Sequence, residues 1–550
     1  MTSTSAKTVC VVVLALAAAC PFRAFADDIF DPEDPSLSQR SEPATTAPAA
    51  NEGWIGDPEA PARLPSAATS APTADPTPYR APPRVSLRYA SAAQTDLERQ
   101  GGREDTFELL NEANLRIAAP LNDRWSLTVE GRLSWWITSG YAGEDSPRIS
   151  SPDNYQGRFE PVLRDAYVSG RTGSVLWKVG NQLISWGSMD ILSPADIIAP
   201  QDNRRGIFAD NEQSRIAIPA VNATWVHDRL AWQFLVLPFF VANQQALYGS
   251  DFAPLRQGSP LNDELPIDLL VSSFDPSIED DINGALRQTR RPEELARNVQ
   301  PATRFTSSYG GMDVSAGYFY GFDRVPTLAV ADSLIDFGRF AAERDGDLAI
   351  DGDTLSAIGP LLDDVQNDVT LVDAGYERSH FVTLDGVRYL GPIGVRWEGA
   401  YSPSRTAYVT GPASVRRPWA SGAIGLSYES EDKIVVTAEA GYTAFRRHDS
   451  DPDYFLASDR QPSYALGAEC WLPIRALTDR GHKLSIRAGG TYLAVGQDLI
   501  VLPSMRFGTE SGWSAEAGVA IFASMDDNRD TIGDVLDWND AVFKQIEKRW

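Results

Sequence analysis

Between Arg124 and Trp135 the chain changes character at every residue. Trp125, Leu127, Val129, Gly131, Leu133 and Trp135 share one parity; Arg124, Ser126, Thr128, Glu130, Arg132 and Ser134 share the other. Successive side chains of an extended strand point to opposite faces, so this segment has one apolar face and one polar, charged face. The pattern recurs from Phe107 to Ile117, with Glu108, Glu112 and Arg116 on the polar parity. It recurs again at Leu484-Ile486-Ala488-Gly490-Tyr492 against Lys483-Ser485-Arg487-Gly489-Thr491, and at Trp513-Ala515-Ala517-Val519-Ile521 against Ser514-Glu516-Gly518. Charges at every second place cannot face lipid cheaply, whereas they suit a polar lumen with the apolar parity turned to acyl chains.

The spacing of these runs narrows the fold further. Short links at Pro120-Leu121-Asn122, Arg171-Thr172-Gly173, His227-Asp228, Gly310-Gly311, Gly391-Pro392, Glu431-Asp432 and Thr509-Glu510 alternate with long ones. The long links fall at about 138–160, 187–212, 243–302, 323–377, 403–417, 446–461 and 525–540, and one link expected to be long, Gly496-Gln497, is short. Tight turns at one end and extended loops at the other are the asymmetry of an outer-membrane barrel, with periplasmic turns and extracellular loops. A propeller would repeat at about 40–50 residues, and no such self-similarity is present. The expectation is an all-β, transmembrane outer-membrane β-barrel of about 16–18 antiparallel strands over 84–550. Eighteen alternating runs can be drawn, the last ending at the aromatic Trp550. Asn539 to Trp550 also suits an amphipathic helix, which would leave sixteen.

The N-terminus carries an export pattern. Lys7 precedes an apolar run from Thr8 to Cys20, and Ala24-Phe25-Ala26 supplies a small-x-small site before Asp27, so residues 1–26 read as a signal peptide. A lipoprotein signal ending at Cys20 is the competing reading. Cleavage after Ala26 leaves Cys470 as the single cysteine, which excludes a disulfide-stapled fold. Residues 27–83 are rich in proline, alanine, serine, threonine and acids, a composition expected of a disordered periplasmic tether. The net charge of −26 argues against a nucleic-acid partner.

Candidate functional residues fall into three groups. Loop 187–212 carries Asp190, Asp196, Asp202, Arg204 and Arg205 beside two prolines; folded inward, it would form a constriction with charged walls. Glu108, Glu112, Arg116, Glu130, Arg132, Asp165, Arg396, Glu398, Glu439, Glu469, Arg487, Arg506 and Glu516 all occupy polar parities. They either line a conduit or pair internally to brace or plug it, and parity cannot separate the two. Asp526, Asn528 and Asp530 place oxygen ligands at alternate positions, a loose calcium pattern lacking the glycine that a helix-loop-helix site requires. No other metal or cofactor is expected. The four histidines are scattered and no nucleophile elbow occurs, so an enzyme is not expected.

One stretch carries a resemblance. Leu163-Arg164-Asp165-Ala166-Tyr167-Val168 is followed by Gly180-Asn181-Gln182-Leu183-Ile184-Ser185-Trp186-Gly187 and by a Pro/Asp-rich segment to Asp202. With Tyr318-Phe319-Tyr320-Gly321-Phe322 and the hairpin from His380 through Leu390-Gly391-Pro392 to Trp397-Glu398, this resembles a Gram-negative, porin-like outer-membrane barrel family of unknown function. The resemblance implies a channel or transporter, with hydrophobic or polymeric cargo among the possibilities. The leading expectation is therefore a solute channel through a charged lumen in the cell outer membrane. Its surroundings would be lipid and lipopolysaccharide, and the outer-membrane assembly machinery would insert it. The alternative is a plugged barrel that docks a partner or polymer through its loops.

Overall fold

The computed structural model describes residues 83–96, 107–139, 159–203, 214–244, 298–344, 352–367, 369, 371–409, 413–430, 434–448, 460–472, 474–478, 480–495, 497–524 and 540–550. The expected leader and most of the expected tether lie outside these residues.

Nine antiparallel strands come first: β1 (Arg84–Asp96), β2 (Phe107–Pro120), β3 (Trp125–Ser139), β4 (Phe159–Thr172), β5 (Val175–Gln182), β6 (Ile218–His227), β7 (Leu230–Leu237), β8 (Gln300–Tyr309) and β9 (Met312–Phe322). A small hairpin, β10 (Thr327–Val330) with β11 (Val372–Gly375), stands apart from them. Nine more strands follow: β12 (Arg378–Leu390), β13 (Ile393–Val409), β14 (Ala413–Glu429), β15 (Ile434–Phe445), β16 (Arg460–Leu472), β17 (His482–Leu493), β18 (Asp498–Thr509), β19 (Trp513–Ala523) and β20 (Ala541–Arg549). Each pairs with its chain neighbours, β9 pairs with β12, and β20 pairs with both β19 and β1. The sheet is thus a closed antiparallel barrel of 18 strands.

Alternation is what permits closure. Leu115, Ile117, Leu133, Phe234, Val236, Leu384, Ile424, Leu426 and Leu466 are exposed on the outer face. The opposite parity, with Glu112, Ser134, Thr383, Asp385, Glu439 and Arg487, is buried inside. At the short-turn end Lys548 lies over the rings of Trp513 and Trp550, 5.3 and 5.5 Å away. Nearer the long loops Trp135 and Phe159 stack 6.2 Å apart, with Tyr89 tilted 6.1 Å from Trp135. Eighteen strands spaced about 4.8 Å and tilted about 40° enclose a cylinder roughly 35 Å across. Wall side chains alone cannot fill that width.

One feature decides between the alternatives of the sequence reading, and two differ from it. Residues 541–549 form β20 rather than a helix, so the count is eighteen and not sixteen. On its inner parity Glu547 pairs with Arg88 of β1 at 3.1 Å, and a charge that suggested a helix becomes a closure contact. The long loop expected at 403–417 is strand at 403–409 and 413–417: β13 and β14 run 17 residues each and pair out to Val409 and Ala413, forming a tongue with a bulge between Ser402 and Arg405. Link 323–377 contains a folded cap. Its helices α1 (Asp332–Ala342) and α2 (Gly352–Gln366) bury Leu334, Phe337, Ala341, Ile358 and Leu361 against one another.

If β20 closes the barrel, a chain lacking residues 541–550 leaves β1 and β19 with open edges. The expected result is loss of the heat-modifiable, folded band on semi-native electrophoresis, whereas Glu547→Gln keeps that band.

Candidate functional site

The segment after β5 turns into the barrel, and the motif residues launch it. β4 carries a bulge in which Arg164 and Asp165 together stand opposite Glu130 of β3. Asn181 bridges that bulge, its Nδ2 donating to the carbonyls of Leu163 and Arg164 at 2.9 and 2.6 Å. Asp165 Oδ1 then accepts the Leu183 amide at 3.2 Å. The chain thereby leaves the sheet at Gln182, whose Nε2 donates to the Ala220 carbonyl at 3.0 Å.

Inside, the loop finds an apolar seat. Ile184, Trp186 and Ile198 are buried against Ile218, Ala220, Leu235, Leu237, Ala302, Phe319 and Phe381, all on the inner face of β6, β7, β8, β9 and β12. Trp186 Nε1 donates to Gln233 Oε1 at 3.1 Å. Gly317 makes room for the indole, since a Cβ there would lie 2.7 Å from Trp186 Cζ3.

Beyond Trp186 two carboxylates of the far wall take over. Glu398 of β13 accepts the amides of Ser188, of Met189 at 2.6 Å and of Ala195 at 3.0 Å, and the Ser193 hydroxyl at 3.1 Å. Glu439 of β15 accepts the amides of Asp190, Ile191 and Leu192 at 2.9, 3.1 and 2.6 Å. Around the ring, β13 and β15 are the sixth and eighth strands after β5, where the ninth would be diametrically opposite. The loop therefore crosses the lumen. Gly187, at φ +107°, has no room for a side chain because a Cβ would lie 2.5 Å from Glu398 Oε1. Gly425 and Gly441 on β14 and β15 leave space for Met189 and Leu192.

Both anchors offset the entropy of ordering the loop. Ordering about a dozen residues costs roughly 1–2 kcal/mol each in backbone entropy. Three buried apolar side chains return about 1.5–3 kcal/mol each, and hydrogen bonds to a charged acceptor about 1.5–3 kcal/mol each. The apolar seat alone falls short of that cost, and the seven hydrogen bonds bring the return into its range.

The sequence-derived candidates are placed as follows. Asp190 is ion-paired with Arg396 of β13, and Asp196 with Arg215 at 2.8 Å; both aspartates have side chains only 3% exposed. Burial raises the Asp196 carboxyl above the usual aspartate range despite Arg215 beside it. Asp202 donates its amide to the Ser214 carbonyl at 2.6 Å and bridges to Gln244. Asp190 and Asp196 thus tie the loop through ion pairs. Arg204, Arg205, Asp526, Asn528 and Asp530 lie outside the described residues. Among the described residues no cluster of three metal-ligating side chains occurs.

The lumen-facing set resolves into pairs along the wall. Arg132 meets Glu112 at 3.6 Å; Arg116 meets Glu130 at 3.3 Å and Asp165 at 4.0 Å; Arg164 meets Glu130 at 3.7 Å. Arg487 meets Glu469 at 3.5 Å and Glu516 at 2.9 Å, and Arg506 stands in register with Glu516. Glu108 lies in β2 opposite Gln94 and Thr138. A pair absent from the sequence reading, Arg304–Asp385 at 2.7 Å, lies beneath Trp186. Each of these wall pairs joins adjacent or next-adjacent strands, so it braces the wall without crossing the lumen. The inward apolar patch was missed as well, although Trp232 to Val241 (apolar on both parities) announces it.

Solved structures with a similar course include Acinetobacter baumannii OccAB1 (10% identity, 85% of this chain and 96% of that chain, TM-score 0.46) and Pseudomonas aeruginosa OccK5 (OpdH) (10% identity, 85% and 97%, TM-score 0.42). A Salmonella typhi OmpF complex with daunomycin also aligns (7% identity, 85% and 97%, TM-score 0.40). No family model and no curated protein matches the chain. These are distant likenesses, and the barrel assignment stands on the closed strand pairing itself.

Gly187→Ala places a Cβ against Glu398 in a backbone region L-residues avoid, at an expected cost of about 1–3 kcal/mol. The check is equilibrium unfolding in detergent, where Gly131→Ala, with open space at its Cβ, should change little.

Proposed function

We propose that the protein is an outer-membrane channel in which loop 183–203 narrows the lumen. A single observation carries this reading: a loop leaving β5 is held by Glu398 and Glu439 on nearly the opposite wall. The outward apolar face and the aromatic residues at both ends suit insertion into lipid, with the short turns periplasmic and the cap and tongue extracellular. Lipopolysaccharide would surround the outer leaflet, and the assembly machinery would insert the chain. Passage involves no covalent chemistry. An eighteen-strand cylinder leaves a water-filled path beside the loop, as in barrels of this size generally.

Neutralised charges shape the expected selectivity. Wall arginines and acids that pair with one another contribute opposing fields that largely cancel, so the pore should discriminate by width more than by charge. Removing the pins frees the loop to shift or widen the passage.

In planar bilayers, residues 27–550 should give stable ohmic steps with weak ion selectivity. Glu398→Gln combined with Glu439→Gln should raise the conductance or make it fluctuate. Folded, inserted protein that stays silent would overturn the channel reading and favour a barrel that docks a partner through its cap.

A further inference from the structure

The dipeptide Asp323-Arg324, just beyond β9, joins three parts of the molecule that are remote in sequence. Asp323 is 1% exposed; its amide donates to the Glu377 carbonyl at 2.9 Å and closes the base of the cap. Its carboxylate accepts the Thr406 amide of the tongue at 2.9 Å and lies 3.7 Å from Arg405 Nε. Arg324 points the other way. Its Nη2 donates to the Ile198 carbonyl of the inward loop at 2.7 Å, and its Nη1 to the Val241 carbonyl beyond β7. The guanidinium lies 5.2 Å from the centre of the Phe240 ring.

The cap is fixed to the same point. Tyr408 of the tongue donates to the Pro326 carbonyl at 3.0 Å, and β10 begins one residue later. Thr327 and Gly375 are register partners that close the hairpin, so the whole cap enters and leaves through one neck. Its interior is a packed unit: Phe337 and Leu334 are fully buried, and Ser333 Oγ donates to Asp364 Oδ2 at 2.5 Å. Displacing this body moves its neck, and residue 324 sits three residues from it.

We propose that the cap controls the constriction loop, with Arg324 as the positioning residue that transmits cap position to Ile198. This rests on reading loop 183–203 as the constriction. The buried guanidinium, pushed down to about 10 by burial, is still fully charged at neutral pH, so its bonds to two carbonyls are charge-assisted. Glu398 and Glu439 hold the far side of the loop, whereas Arg324 holds its return limb at Ile198. A perturbation at the cap thus has a route to the loop, through Arg324, that does not pass through Glu398 or Glu439.

The test reads hydrogen–deuterium exchange of the peptide spanning 186–199 in detergent-folded protein. Arg324→Gln should speed exchange there by at least about tenfold, because a local opening becomes easier. Replacing 328–374 by a short turn between Thr327 and Gly375 should do the same, and the double variant should add little, since both act through one link. Phe337→Ala, which loosens the cap core without touching the loop, covers the case in which the deletion fails to fold. Unchanged exchange at 186–199 in the folded cap variants would overturn the coupling. Conductance recorded on the same variants separates the two ideas. Faster exchange in a silent barrel keeps the coupling and removes the channel; steady conductance with unchanged exchange does the reverse.

Discussion

Everything in this molecule depends on the closure of one hydrogen-bonded sheet. Backbone amides and carbonyls facing lipid have no water to turn to, so a spanning sheet must have no free edge. β20 supplies the last seam, pairing with β1 from Arg88↔Arg549 to Asp96↔Ala541 and with β19 on its other side. Closure in turn fixes parity. Once one face meets lipid, a one-residue slip would turn every inner charge outward, so register is determined along the whole ring.

A ring of this size then creates a second problem, an interior too wide to be filled by its own wall. Two chemistries share that interior. Around β1–β4 and β16–β19 the inner parity carries arginines and acids that neutralise one another between neighbouring strands. On β6–β9 and β12 it carries an apolar patch that seats Trp186, Ile184 and Ile198, with the Arg304–Asp385 pair beneath. The far wall offers two carboxylates, and the loop turns consecutive backbone amides toward them. Glu398 and Glu439 therefore act as fixed acceptors for otherwise unpaired loop donors, the requirement any buried segment must meet. The lumen is organised by where its polar groups are satisfied, more than by the sign of its charges.

Much of the fold was legible because period-two alternation survives in single strands. Leu484 to Tyr492 and Trp513 to Ile521 could be placed from that alternation alone. β20 was ambiguous because Glu547-Lys548-Arg549 breaks the pattern, and only its pairing with β1 shows that Glu547 faces inward to Arg88. The 403–417 link was expected to be a loop, whereas β13 and β14 continue into it and the tongue accommodates Pro403 beside a bulge. In the candidate site, Glu398 and Glu439 were picked out by parity, and Trp186-Gly187 by motif. Nothing local in the sequence joins them, since their contacts span more than 200 residues. For the same reason Asp190 reads as a free acid until Arg396 is placed beside it.

The most direct test of the account is whether the loop truly lies against the far wall. Met189 and Gly425 are suited to it, since a Cβ at Gly425 would lie 3.0 Å from Met189 Cε. Protein expressed without residues 1–26 and carrying Cys470→Ser, Met189→Cys and Gly425→Cys would be treated with a short bifunctional maleimide in folded form. An intramolecular cross-link, found as a joined peptide pair by mass spectrometry, is the expected result. Two thiols that each label singly and never join would contradict the crossing loop, and with it the constriction.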